Sequence, residues 1–286
     1  MEKRRINRCH LAAFYEQLRA EERERSTIEK YCRDVKQFAV WLCEGKVKAG
    51  AVTKEAVSRW KEHLRGQGYK PETINGKLSA LNKFLSCMGW TECRVKYLKI
   101  QRRLFRSRQR ELSKVEYARL LETAHGQGKA RLALLLETIC ATGIRVSEVK
   151  YITVEAVQAG RAEIALKGKI RTILLPGKLC RKLQKYAKKQ KTTSGEIFLT
   201  RSGKGVSRRQ IWSEMKALCR KANVEPTKVF PHNLRHLFAR TFYRVSRDVA
   251  KLADVLGHAS IETTRIYLIS TGEEHERQLE ELGLIS

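Results

Sequence analysis

From residue 1 to about 90, apolar residues recur every three or four positions in successive blocks, the spacing of helices with one buried face. A first helix is expected near His10–Arg19. Ser26 and Glu29 have capping-box spacing, with Ile28, Cys32, Val35, Phe38 and Leu42 following at helical intervals. Thr53 opens a third helix that places Ala56, Val57, Trp60 and Leu64 on one face and stops at Gly66 and Gly68. Pro71 opens a fourth, whose stripe of Ile74, Leu78, Leu81, Leu85 and Met88 ends at Gly89. The pattern predicts a small helical domain over residues 1–93, with the stripes as its core.

A second apolar regime starts at residue 112. Ser113 and Glu116 form another capping box, and Leu132–Cys140 reads as a helix buried on most sides that ends at Gly143. Ala162–Leu166 and Thr172–Leu175 are short runs rich in branched residues, joined around Gly168–Lys169, and predict a β-hairpin. From Lys178 onward the pattern is helical again, apart from the apolar run Ile197–Thr200. The expected class is mainly α with a small antiparallel β-sheet, with a second domain over residues 112–286.

Charge adds what periodicity cannot. Lys and Arg number 59 against 30 Asp and Glu, a net +29. So large an excess repels itself in a compact chain unless a polyanion is the usual partner, and nucleic acid is that partner by default. Between the two domains, residues 94–111 form a basic linker. The stretch Arg94–Lys114 carries nine basic residues and one acidic one. Arg102, Arg103, Arg106, Arg108 and Arg110 are its candidate contacts to DNA phosphates.

Other chemistries find little support. The eight cysteines contain no C-x-x-C pair and read as reduced, buried thiols, with neither a zinc site nor a disulfide framework. No carboxylate cluster of two-metal character and no G-x-x-x-x-G-K-[ST] loop is present, so neither a metal nor a nucleotide cofactor is expected. No apolar run reaches membrane-spanning length, and Met1–Arg8 is charged without an apolar stretch after it. A cytoplasmic protein is expected.

Four local patterns in the second half carry candidate chemistry. Arg145 emerges just past Gly143, at the start of a helical turn where a cation opposes the helix dipole and calls for an anion. Lys167 and Lys169 flank Gly168 at the hairpin tip, either able to present an ammonium. Pro231 begins a helix on which His232 and Arg235, three apart, face one way; such a pair can clamp a phosphate and move a proton on it. Gly257-His258 precedes Ser260, a cap for a short helix that ends at Tyr267. Singly, these are a salt bridge, a solvated turn, a chance spacing and a packed aromatic.

In this order the four patterns resemble the catalytic half of the tyrosine recombinase (phage integrase) family, more its integrase and dimer-resolvase branches than type IB topoisomerases. The helical first domain and basic linker resemble the family's DNA-clamping core-binding domain, so the likeness spans nearly the whole chain. The resemblance implies that Tyr267 attacks the scissile phosphate, leaving a 3′-phosphotyrosyl link, while Arg145 and Arg235 hold the non-bridging oxygens. It implies Lys167 as general acid for the leaving 5′-oxygen, preferred over Lys169, with His232 assisting proton transfer and His258 bonding the phosphate. Glu148 takes the family's acidic supporting position; His236, directly after the H-x-x-R motif, is read as structural. The implied reaction on double-stranded DNA needs neither metal nor ATP. The tail, with Leu279, Leu282 and Ile285 at helical spacing, resembles the family segment that docks on a neighbouring protomer in a tetramer on two duplexes. Integration or excision of a mobile element is the first expectation. The alternatives are topoisomerase-like cleavage and relegation, or a catalytically silent DNA-binding protein; an RNA-binding protein would account only for the charge.

Overall fold

The computed structural model describes residues 4–44, 51–100, 110–166, 169–258, 260–268 and 279–282. The candidate residues Arg102, Arg103, Arg106, Arg108 and Lys167 lie outside these, as does Ile285 in the tail. The chain divides into two compact units, Met1–Arg102 and Arg103–Ser286.

The first unit is built on helices α1 (Arg8–Ala20), α2 (Arg25–Glu44), α3 (Lys54–Gly66) and α4 (Pro71–Cys87). Their apolar stripes meet in one core, where the rings of Phe14 and Phe84 pack edge-on at 5.3 Å and those of Phe38 and Trp60 at 5.1 Å. The Thr53 hydroxyl accepts the Ala56 N–H at 3.1 Å and fixes the start of α3, as its sequence suggests. The capping box expected at Ser26 does not form. Helix α2 starts two residues earlier, with the Ile28 N–H bonded to the Glu24 carbonyl, and the Glu29 carboxylate is drawn instead to Arg25 Nε at 2.8 Å. The expectation of uniformly buried thiols also fails, since Cys9 and Cys43 fall on outward faces of α1 and α2 and are exposed.

The second unit runs α5 (Lys114–Gly126), α6 (Ala130–Thr142), a 3-10 helix (Val146–Tyr151), α7 (Val154–Gln158), β1 (Arg161–Leu166), β2 (Lys169–Leu174), α8 (Gly177–Lys189), α9 (Arg208–Ala222), α10 (Pro231–Ser246), α11 (Val249–Leu256) and α12 (Ile261–Leu268). Ser113 and Glu116 cap α5 reciprocally, at 2.8 and 3.1 Å. Helix α6 buries most of its length and α10 packs along it, so α6 is the post around which the unit is assembled.

Strands β1 and β2 pair antiparallel, with Leu166 opposite Lys169 and Arg161 opposite Leu174. The second strand thus starts three residues before the expected Thr172. Its apolar content misleads, because Ile170 and Leu174 face outward and are about three-quarters exposed. The inward face holds Ala162, Ile164 and Ile173, and Arg171 shares it, being paired with Ile164. The run Ile197–Thr200 buries Ile197 and Phe198 and makes only an isolated bridge, Leu199 with Gly205. The fold is therefore mostly helical with a two-stranded antiparallel sheet among the described residues. No described helix is long and apolar enough to cross a membrane.

Burial of this kind sets a clear expectation. Trp60→Ala, at the centre of the first core, should cost about 3–5 kcal/mol in urea unfolding. Val115→Ala, at a largely exposed site, should cost less than about 0.5 kcal/mol.

Candidate active site

The site begins where α6 stops. Gly143 takes the left-handed conformation, φ +65°, and a Cβ there would lie 2.4 Å from a ring carbon of Phe238. Only glycine lets the chain leave the core so close to α10. Two residues on, Arg145 caps the 3-10 helix. The anion its position calls for is Glu148, one turn later and 1 % exposed. The Glu148 carboxylate accepts the Arg145 backbone N–H at 2.8 Å and its Nη1 at 2.7 Å, so the guanidinium is held from behind while its side chain stays 42 % exposed.

Helix α10 supplies the second arginine. Arg235 is 1 % exposed; its Nη1 donates to the Gly143 carbonyl, and its Nη2 donates to the Leu256 carbonyl at 2.8 Å and lies 2.9 Å from His258 Nε2. Those bonds join the end of α6, the N-terminal part of α10 and the end of α11 around one cation. Burial and the neighbouring Arg145 lower its pKa, with Tyr267 and Glu148 acting the other way. Its Nε is buried without a hydrogen-bond partner.

His258 follows Gly257, the left-handed end of α11. An arginine can only donate, so His258 Nε2 accepts from Arg235, and the ring proton sits on Nδ1, donating to Thr264 Oγ1 at 2.8 Å. Burial first, then the charges of Arg235, Arg145, Arg171 and His232, push its pKa down to about 4. His258 is thus a neutral imidazole near pH 7.

Ser260 Oγ accepts the Glu262 N–H at 3.2 Å at the start of α12, which carries Tyr267. Tyr267 is 5 % exposed and packs with Ala239, Leu252 and Leu256. Its ring centroid is 4.2 Å from that of His236, 5.4 Å from His258 and 5.5 Å from His232, with the Arg235 guanidinium carbon 5.9 Å away. A phenol, two arginines and three imidazoles therefore share one small volume.

The structure brings together Arg145, Glu148, His232, Arg235, His258 and Tyr267, though they span more than a hundred residues of sequence. Arg110 stands apart as an exposed residue at the start of the second unit, its carbonyl accepting from Asn233 Nδ2 at 2.8 Å. Sequence reasoning missed Arg171, which reaches Glu148 at 3.4 Å, and Thr264, which accepts the His258 Nδ1 proton. A signal for Arg171 existed, because period-two alternation puts it on the same hairpin face as Ile173. Among the described residues no group of His, Cys, Asp and Glu is arranged to hold a metal ion.

The model of the phage integrase family matches residues 110–274, more than half of the chain, and that of the family's N-terminal SAM-like domain matches residues 11–90. The chain belongs to the phage integrase family. As a family member it is a DNA strand-transfer enzyme. It is 28 % identical to the tyrosine recombinase XerA of Pyrococcus furiosus over 96 % of this chain and 94 % of that one. It is also 28 % identical to XerD of Halalkalibacterium halodurans, over 85 % and 86 %. Its fold resembles that of a lambda integrase dimer bound to a COC′ core site, with a TM-score of 0.72 at 16 % identity, covering 91 % of this chain and 94 % of that one.

The neutral His258 gives a pH test. Its folded pKa lies below its unfolded value, so as pH falls from about 6.5 to about 4 the unfolded chain gains a proton that the folded one refuses. Stability should fall across that window, and His258→Asn should flatten this part of the urea-stability profile. Histidine NMR should show the wild-type ring neutral down to about pH 4.

Proposed function

We propose that the protein is a site-specific DNA recombinase that cuts and rejoins strands through Tyr267. The phenol oxygen of Tyr267 forms a bond to the scissile phosphorus as the bond from phosphorus to the 5′-oxygen breaks, leaving a 3′-phosphotyrosyl link and a free 5′-hydroxyl. Arg145 and Arg235 hold the non-bridging oxygens as charge builds. His232 assists the transfer of the phenol proton, and neutral His258 is placed to hydrogen-bond the phosphate once Arg235 turns to the DNA. Lys167, which follows β1 in the sequence, protonates the leaving oxygen. Rejoining runs the same steps backwards from a 5′-hydroxyl, so the phosphotyrosyl bond conserves the energy of the phosphodiester, and neither ATP nor a metal is required.

The observation that carries this reading is the placing of the buried Arg235 guanidinium 5.9 Å from the Tyr267 ring, with the charge of Arg145 felt at both Arg235 and His258. A catalytically silent DNA-binding protein has no use for a buried cation beside a tyrosine, since burying charge costs several kcal/mol per ion.

The further assignments rest on the sequence and the family. Residues 1–93 form the core-binding domain, and 94–111 a linker whose Arg102, Arg103, Arg106, Arg108 and Arg110 lie along DNA phosphates. Residues 112–286 hold the chemistry. The exposed Leu279 and Leu282 suit a tail that docks on the next protomer of a tetramer holding two duplexes. The protein acts in the cytoplasm, and its task is the integration or excision of a mobile element.

The test uses nicked duplexes tiling the DNA that flanks its own gene, incubated without ATP and with a metal chelator. Wild-type protein should yield a protein–DNA adduct on denaturing gels and Tyr267→Phe none, while Arg235→Ala should slow its formation by roughly 10²–10³. An adduct that persists in Tyr267→Phe, or one that requires a divalent metal, would overturn the assignment. Truncation before Leu279 should leave cleavage intact and abolish strand exchange; exchange at the wild-type level would remove the docking role of the tail.

A further inference from the structure

Arg171 is a cation where the fold calls for an apolar side chain. It projects from β2 onto the inward face of the hairpin beside Ile173, and its side chain is 13 % exposed. Burial outweighs the pull of Glu148 and lowers its pKa to about 10, so it stays protonated. Its contacts are thin for a buried charge. Nη1 reaches the Glu148 oxygens at 3.4 and 3.5 Å, Nη2 donates to the Val255 carbonyl at 3.1 Å, and Nε is buried without a hydrogen-bond partner. An apolar residue of similar size would serve packing at least as well, because replacing a buried ion by a well-packed hydrophobe is often neutral or stabilising. Packing alone does not account for this residue.

Its neighbours indicate another use. Glu148 is the carboxylate that holds Arg145, and Val255 lies three residues before His258. Gly257, between them, has φ +63°, and a Cβ on it would fall 2.2 Å from Arg171 Cδ and 2.7 Å from Nε. The turn that presents His258 is therefore moulded around this side chain. Three guanidinium groups, of Arg145, Arg171 and Arg235, surround the single Glu148 carboxylate. Against Arg145 and Arg235 alone that carboxylate would cancel half the charge of the phosphate clamp; Arg171 adds a third cation that offsets it.

We propose that Arg171 is a positioning residue for strand cleavage, bridging the Glu148 carboxylate behind Arg145 to the Val255 carbonyl before His258, so that clamp and histidine are set as one unit. This rests on the recombinase chemistry proposed above. Arg171 touches no reacting atom in it and acts through Glu148 and the His258 turn.

Three variants separate the role from mere stability. Arg171→Lys keeps a cation against Glu148, so the carboxylate is not orphaned, but one ammonium cannot span both partners. Arg171→Gln removes the charge, and Arg171→Met tests packing. On the same nicked duplexes, Arg171→Lys should melt within a few degrees of wild type, bind DNA as tightly, and form adduct about 10–100-fold more slowly, as supporting partners of reacting groups commonly do. Arg171→Gln and Arg171→Met should be slower still.

A second readout needs no substrate. The charges acting on His258 are Arg235 and His232 from α10, Arg145 at the start of the 3-10 helix, and Arg171 from β2, with Glu148 bonded to Arg145 and Arg171; α12 presents the titratable Tyr267 and the neutral Thr264. Removing Arg171 should raise the NMR-observed pKa of His258 from about 4, and Arg171→Lys should restore it in part. Wild-type cleavage rates in Arg171→Lys and Arg171→Met, or an unmoved His258 titration in Arg171→Gln, would overturn the proposal. The wild-type adduct in the same series reports the recombinase chemistry itself: its absence contradicts that reading, whereas its presence with an indifferent Arg171 contradicts only this one.

Discussion

Everything in the catalytic unit is arranged around one unfavourable fact: arginines are held where water is scarce. A buried cation costs several kcal/mol before any partner is counted. Arg235 meets that cost with two backbone carbonyls and an imidazole nitrogen, while the partly exposed Arg145 is held by a carboxylate that is itself buried. Because the carbonyls belong to Gly143 and Leu256, satisfying Arg235 also fixes the exit of α6 and the end of α11. Core and site are stabilised by the same bonds, and loosening either disturbs the other.

That arrangement suits a reaction in which negative charge grows on phosphate oxygens. Donors already in place need little reorganisation as the charge appears, and in a site partly shielded from solvent each is worth more than it would be in water. Burial and the same positive field keep His258 neutral, so it can offer a nitrogen lone pair to Arg235 and an N–H to Thr264 in the free protein. The Tyr267 ring lies among three imidazoles, packed against Leu252 and Leu256 rather than lying open to solvent. In the proposed reaction the DNA phosphate enters beside the arginines.

Much of this was legible in the sequence, for physical reasons that can be named. Apolar stripes at helical spacing and capping residues such as Thr53 and Ser113 are local signals, and the helices they mark are present. Arg145, His232, Arg235, His258 and Tyr267 stood out through the order of their motifs; no single spacing would have singled them out. Less visible were features that depend on what lies across the fold. The start of β2 was obscured because Ile170 and Leu174 face solvent, and Ser26 lost its capping role to a competing pair, Arg25 with Glu29. Arg171 was passed over because in a chain with 59 basic residues one more arginine on a hairpin looks like surface charge. Only the strand register, which puts it beside Ile173, shows it to be buried.

The central claim is that one side chain, the Tyr267 phenol, becomes covalently bound to DNA. Digestion of the trapped adduct with protease and nuclease, followed by mass spectrometry of the modified peptide, tests this most directly. The account predicts a nucleotide phosphate on Tyr267 in the peptide spanning the end of α12. Modification of any other tyrosine, or of a serine, would contradict it.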